Sequence, residues 1–151
     1  LDRVTLVGHS AGGHLAVLAG GAIDYGELDS EQVDAAQLSK VTVERVVGLA
    51  AITDIATYAR GSNSCEQATP SFMGGLPKDV PDQYYAANPS EQPVHPNTIL
   101  LQGDQDTIVD TDHALLQSGT ALWVVGAGHF DMIHPNSDAF GQLVTALNGT
   151  P

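Results

Sequence analysis

The feature that most constrains the fold is Gly8-His9-Ser10-Ala11-Gly12-Gly13. There a β-rich run over Arg3 to Val7 stops and a run of small and aliphatic residues begins. Glycines flanking a serine at such a junction predict strand, sharp turn and helix, because the turn needs conformations and close approaches that side chains obstruct. A serine held on that turn projects its hydroxyl above the end of the strand. The N–H of the next residue, Ala11, opens the helix and points where negative charge would develop on a substrate carbonyl. The pattern G-x-S-x-G fixes only three positions and occurs by chance in glycine-rich chains, so its weight comes from the strand before it and the helix after it.

The rest of the chain alternates in the same way. Val4 to Val7 reads as a strand buried on both faces, of the kind parallel sheets are built from. Ala11 to Ala22 is apolar almost all round, as in a helix packed between a sheet and its neighbours. Asp24 to Lys40 is acidic and polar, and Val33, Ala36 and Leu38 point to a short surface helix. Val43 to Ile52 is a second strand ending at Thr53-Asp54, Thr98 to Leu101 a third, and Ala121 to Val125 a fourth. Asp110 to Ser118 predicts a short helix capped by Asp110 or Thr111 and stopped by Gly119; a closing helix runs from about Ser137 to Leu147 and ends at Asn148-Gly149. Strands alternating with helices, without hairpin signals, specify an α/β fold: a parallel sheet with flanking helices.

With 151 residues the chain has the length of one compact domain, residues 1–151. Within it, residues 55–96 lose periodicity and collect glycine and proline from Gly61 to Pro96. Tyr58, Phe72, Met73, Tyr84 and Tyr85 give this stretch too much apolar surface for a disordered linker, which makes it a lid-like excursion.

Eighteen acidic residues against five basic ones give a net charge of −13. An acidic protein of this kind is repelled by nucleic acid and by anionic membranes, so neither is an expected partner. The single cysteine, Cys65, excludes an intrachain disulfide. No apolar run approaches the ~20 residues of a membrane span. A cytoplasmic location is the expectation, although the chain opens on Leu1 already close to a strand, as if a segment upstream were missing.

Acyl transfer needs a nucleophile, a base to take its proton and an acid to orient the base. Ser10, Asp106 and His129 each follow a predicted strand, and the carboxyl ends of parallel strands share one edge of the sheet. Their order, Ser then Asp then His, is the order that accompanies a nucleophile elbow. Asp104 competes with Asp106 but suits a turn cap, and Asp54, after the second strand, is an alternative acid. His14 reads as a packed histidine, His95 and His113 as solvated ones. His9, Phe130 and His134, with Phe72 and Met73 of the excursion, are candidate substrate contacts. No His, Cys, Asp or Glu cluster has metal-ligand spacing, so neither a metal nor another cofactor is expected.

Gly-His-Ser-Ala-Gly-Gly-His at 8–14, Gln-Gly-Asp-Gln-Asp-Thr-Ile-Val at 102–109 and Gly-Ala-Gly-His-Phe at 126–130 resemble the serine-hydrolase branch of the α/β-hydrolase superfamily. The likeness is greatest to the esterase and lipase group that includes kynurenine formamidase-like enzymes, and it extends to Ser64–Gln67, Phe72–Gly75 and Ala87-Asn88-Pro89. The resemblance implies Ser10 as nucleophile, Asp106 as acid, His129 as base and the Ala11 N–H as one oxyanion donor. The strands that precede the elbow in that superfamily are absent, and with them the His-Gly-Gly loop that gives the second donor. The chain thus looks like a C-terminal portion whose first strand has a free edge open to pairing. The implied reaction is hydrolysis of a small carboxylic ester through an acyl-enzyme. Hydrolysis of an N-formyl aromatic amide, a prolyl-peptidase-like activity and a non-catalytic remnant or binding module are the alternatives.

Overall fold

A computed structural model of the protein describes residues 3–24 and 41–149. Four strands, β1 (Arg3–His9), β2 (Thr42–Leu49), β3 (Thr98–Gly103) and β4 (Thr120–Val124), form one sheet in the order β1-β2-β3-β4, with every neighbouring pair parallel. His9 is in register with Leu49, Leu49 with Leu101, and Gly103 with Val124. The residues that follow the strands therefore emerge along one rim.

Side chains alternate across the sheet, and each face has its own helix. Val47, Leu49, Ile99 and Leu101 pack with Ala139, Leu143 and Ala146 of α5 (Asp138–Asn148). Val46 and Leu100 pack with Val17 of α1 (Ala11–Asp24) on the other side. β3 is buried along its whole length, as a strand covered on both faces must be. The expectation that the first strand is buried in the same way is corrected: β1 has no fully buried residue and Val7 is 43% exposed, because β1 is paired along one edge only.

Gly8 and Gly12 take different parts in the turn after β1. A Cβ on Gly8 would lie 2.0 Å from the Gly12 carbonyl oxygen, whereas one on Gly12 would meet nothing within 4 Å. Replacing Gly8 by Ala should therefore cost about 3 kcal/mol or more of stability in denaturant unfolding, since backbone must shift to admit the methyl. Gly12→Ala should be neutral or stabilising by up to about 1 kcal/mol, since Gly12 lies inside α1. Equal effects of the two substitutions would contradict this account of the turn.

Elsewhere the elements differ in detail from the sequence reading. β2 stops at Leu49 because Ala50 turns to φ 45°. The excursion carries three short helices, α2 (Ile55–Tyr58), α3 (Ser64–Met73) and α4 (Pro81–Ala86). Their signals are caps rather than periodicity: Asp54 accepts from the Thr57 N–H, Asn63 and Glu66 form a reciprocal capping box, and Pro81 opens α4. Pro70 lies inside α3 and argues against a helix there. The helix expected over Asp110 to Ser118 is only a 3-10 turn, Thr111–Ala114, capped by Asp110. α5 starts and ends as its sequence indicates, with Ser137 accepting from the Phe140 N–H and Gly149 left-handed at φ 83°. The short helix expected around Val33 to Leu38 lies outside the described residues.

Candidate active site

Ser10 follows β1 directly and is held at φ 55°; Ser10 and Ala50 are the two non-glycine residues with positive φ among those described. Such a conformation costs roughly 1–2 kcal/mol in an L-residue. It is held in place by the Ser10 N–H, which donates to the Leu49 carbonyl at 2.8 Å, and by the Ser10 carbonyl, which accepts from the His14 N–H at 3.0 Å. The Ser10 side chain makes no hydrogen bond among the described residues. Ala11 is the first residue of α1, so its N–H has no acceptor within the helix.

Asp106 lies on the turn after β3, with its side chain fully buried. Its Oδ1 accepts the Ile108 and Val109 N–H groups at 2.8 and 3.0 Å, and its Oδ2 lies 2.8 Å from Nδ1 of the buried His129. Burial alone would push the Asp106 carboxyl up. The Val109 N–H, the His129 ring and the Ile108 N–H together outweigh burial and hold it below the ordinary carboxylate value of 3.8. An ionised carboxylate there requires His129 to donate from Nδ1, which leaves Nε2 as the unprotonated nitrogen of the neutral ring. Sequence reasoning misses Gln102, fully buried at the end of β3. Its Nε2 donates to Asp106 Oδ2 at 3.2 Å and to the Val109 carbonyl at 3.2 Å, which fixes the carboxylate from behind. The one signal of it is a polar residue closing an otherwise apolar strand.

The loop carrying His129 is tied down on three sides. Gly126 N–H donates to Asp104 Oδ1 at 2.7 Å, and Gly128 N–H to Asp131 Oδ2 at 2.8 Å. His9 donates from Nε2 to the His129 carbonyl at 2.7 Å, and the two rings lie 4.6 Å apart between centroids. His9 is covalently next to Ser10, so the turn carrying Ser10 and the loop carrying His129 are held together through one side chain. Phe130, 59% exposed, sets its ring edge-on to His129 at 4.8 Å.

A cleft of about 260 Å³ opens at Ser10, lined by Ala11, Leu15 and Ile55 on one side and by Cys65, Thr69 and Phe72 of α3 on the other. Phe72 reaches the cleft. Met73 instead packs against the cluster of Ile52, Ile55 and Tyr58 beneath the excursion. His134 is exposed beyond the 3-10 turn Asp131–Ile133 and does not line the cleft. Asp54, the alternative acid, spends its carboxylate on the α2 cap and the Asn88 amide.

The remaining histidines are structural. His14 is buried and donates from Nε2 to the Ala87 carbonyl at 2.6 Å, as its packed reading implies. The solvated reading of His95 and His113 is corrected: both are buried. His113 Nδ1 accepts the Thr53 and Asp54 N–H groups, and His95 Nε2 lies 3.1 Å from the Val43 carbonyl. Backbone groups around these rings replace water as partners. Burial lowers the proton affinity of His9, His14 and His113 from the ordinary 6.5. The unfolded chain takes up these protons at a higher pH than the folded one, so the stability they contribute is present above about pH 6.5 and is lost as pH falls. The net charge of −13 acts in the opposite sense, so the informative quantity is a difference. Between about pH 8 and pH 5.5, Tm of His14→Gln should fall less steeply than that of the parent; parallel curves would contradict the neutral, buried state of His14.

Comparison with known proteins places this geometry. The family model BD-FAE matches residues 1–119. The chain belongs to the BD-FAE family. Its solved structural neighbours share the fold of this BD-FAE chain at low identity. Esterase B from Lactobacillus rhamnosis superposes with a TM-score of 0.69 at 19% identity, covering 98% of this chain and 52% of that one. A truncated carbohydrate esterase from gut microbiota gives 0.68 at 22%, with 94% and 57% covered. A thermophilic esterase from the planctomycete Thermogutta terrifontis gives 0.62 at 17%, with 95% and 52% covered. The chain thus spans a little over half the length of these structures and has the α/β-hydrolase fold. No protein of curated function matches it in sequence. No helix among the described residues is long and apolar enough to cross a membrane.

Proposed function

We propose that this chain carries the catalytic residues of a serine hydrolase that cleaves small-molecule carboxylic esters. The observation that carries the reading is the 2.8 Å contact between His129 Nδ1 and Asp106 Oδ2, in a ring that lies 4.6 Å from that of His9, the residue before Ser10. That the structural neighbours include esterases supports the same chemistry.

In this reading His129 Nε2 takes the Ser10 hydroxyl proton as Oγ bonds to the substrate carbonyl carbon. The carbonyl electron pair moves to its oxygen, which the Ala11 N–H stabilises. As the pair returns, the ester C–O bond breaks and the alcohol leaves with the proton from His129. Water then repeats the sequence against the acyl-enzyme: His129 takes its proton, and the carboxylic acid departs as Ser10 recovers its hydrogen. Asp106 stays ionised and stabilises the imidazolium formed at each step.

The test is a rapid-mixing experiment with p-nitrophenyl acetate. A burst of p-nitrophenol stoichiometric with protein, followed by slower turnover, is expected from an accumulating acyl-enzyme. N-formylkynurenine, assayed in parallel, should turn over more slowly; faster hydrolysis of the formamide would favour an arylformamidase instead.

A further inference from the structure

We infer that Tyr58 determines specificity: its hydroxyl donates a hydrogen bond to the substrate's acyl group, so the site favours acyl groups bearing an ether, hydroxyl or carbonyl oxygen over plain alkyl ones. The inference rests on the ester-hydrolase reading of Ser10 and adds to it the class of acyl group.

Tyr58, the last residue of α2, lines the cleft at Ser10 and is 3% exposed. Its ring is clamped, packed with Ile52, Ile55 and Tyr84 and set edge-on to His113 at 5.7 Å between centroids. Among the described residues, the Tyr58 hydroxyl and the Arg45 Nε are the buried side-chain polar atoms with no hydrogen-bond partner in the protein. Arg45 lies in the first half of β2, away from the rim that carries Ser10, and its Nη1 already donates to the Ala146 and Leu147 carbonyls. Tyr58 has no such second contact. A buried hydroxyl normally has a partner, because stripping it of water without one is costly, and a clamped ring cannot turn to find one.

The surroundings set the kind of partner. Thr69 Oγ1 and His14 Nε2, also in the cleft wall, are spent on the Cys65 and Ala87 carbonyls. Burial, and then the neighbouring Cys65, Glu66 and Asp106, push the Tyr58 phenol up to about 12, so it stays protonated and donates. The two carboxylates oppose an anion beside it, which leaves an uncharged oxygen as the acceptor. Tyr58 also borders a hollow walled by Asp54, Glu66, Asp110 and Asp112. A hydroxyl turned that way would stand among acceptors, and it bonds to none of them. The walls of the cleft assign it to the acyl group. The leaving alcohol takes its proton from His129 and departs on the side of that loop, whereas the cleft opens at Ser10 and Ala11 and is lined by neither His129 nor Phe130.

The test compares kcat/KM for two pairs of p-nitrophenyl esters matched in length, methoxyacetate with butyrate and β-methoxypropionate with pentanoate, in the parent and in Tyr58→Phe. An ether oxygen activates its own ester chemically, so the informative quantity is the change in each ether-to-alkyl ratio between the two proteins, in which that effect cancels. In at least one pair the ratio should fall roughly five- to tenfold in Tyr58→Phe, the worth of one uncharged hydrogen bond. Tm of Tyr58→Phe should equal or exceed that of the parent, since the substitution removes a buried donor that no protein group satisfies. Ratios unchanged in both pairs, or an equal loss on ether and alkyl esters with a lower Tm, overturn the inference while leaving the esterase reading standing. Failure of the folded parent to hydrolyse any of the four esters overturns the esterase reading, and the inference with it.

Discussion

Asp106→Asn should lower kcat for p-nitrophenyl acetate by roughly 10⁴-fold with little change in fold, an effect of tautomer rather than of lost contact. The Ile108 and Val109 N–H groups both donate to Oδ1 and will keep the remaining carbonyl oxygen there. The new NH₂ then occupies the Oδ2 position, facing His129 Nδ1 and Gln102 Nε2. His129 must accept at Nδ1 and carry its proton on Nε2, where it cannot take one from Ser10. Two amide donors, that of Gln102 and the one introduced at position 106, would also face each other in a buried space, so a modest fall in Tm is expected beside the kinetic loss. Steady-state turnover and thermal unfolding on the same sample separate the two. Activity retained within tenfold would show that Asp106 does not set the His129 tautomer during the reaction.

Ser10→Ala should be costlier still, on the order of 10⁵-fold or more in kcat, because it removes the hydroxyl that bonds to the substrate carbonyl. The substitution tests chemistry cleanly. Alanine already occupies a comparable conformation at Ala50, with φ 45°, so the strain at position 10 is unchanged and the backbone hydrogen bonds to Leu49 and His14 persist. Stability close to that of the parent, with turnover of p-nitrophenyl acetate reduced to background, is the expected pair of results. Turnover near the parental rate would assign the chemistry to another residue.

Much of this architecture is legible in the sequence because its signals are local. Gly8, Ser10 and the apolar runs on either side of them mark the first turn, and three further β-rich runs mark the other strands. Parallel strands deliver their ends to one rim, so Asp106 and His129 can be named from their places after β3 and β4. The features that sequence reasoning misses depend on partners distant in the chain. Nothing near His113 signals that its ring accepts the Thr53 and Asp54 N–H groups. Nothing near His9 shows that its ring reaches a carbonyl 120 residues away. Gln102 is conspicuous only once Asp106 is in front of it. The helices of the excursion are hard to read because each is short and is specified by Asp54, Asn63 with Glu66, or Pro81 at its start rather than by an apolar period.

The central claim, that the hydroxyl of Ser10 is the group that attacks a carbonyl, is tested most directly by reaction with a p-nitrophenyl alkylphosphonate followed by peptide mapping. A single phosphonyl adduct on the peptide containing residue 10, absent from Ser10→Ala, is the result this account predicts. An adduct on another residue, or labelling of Ser10→Ala equal to that of the parent, would contradict it.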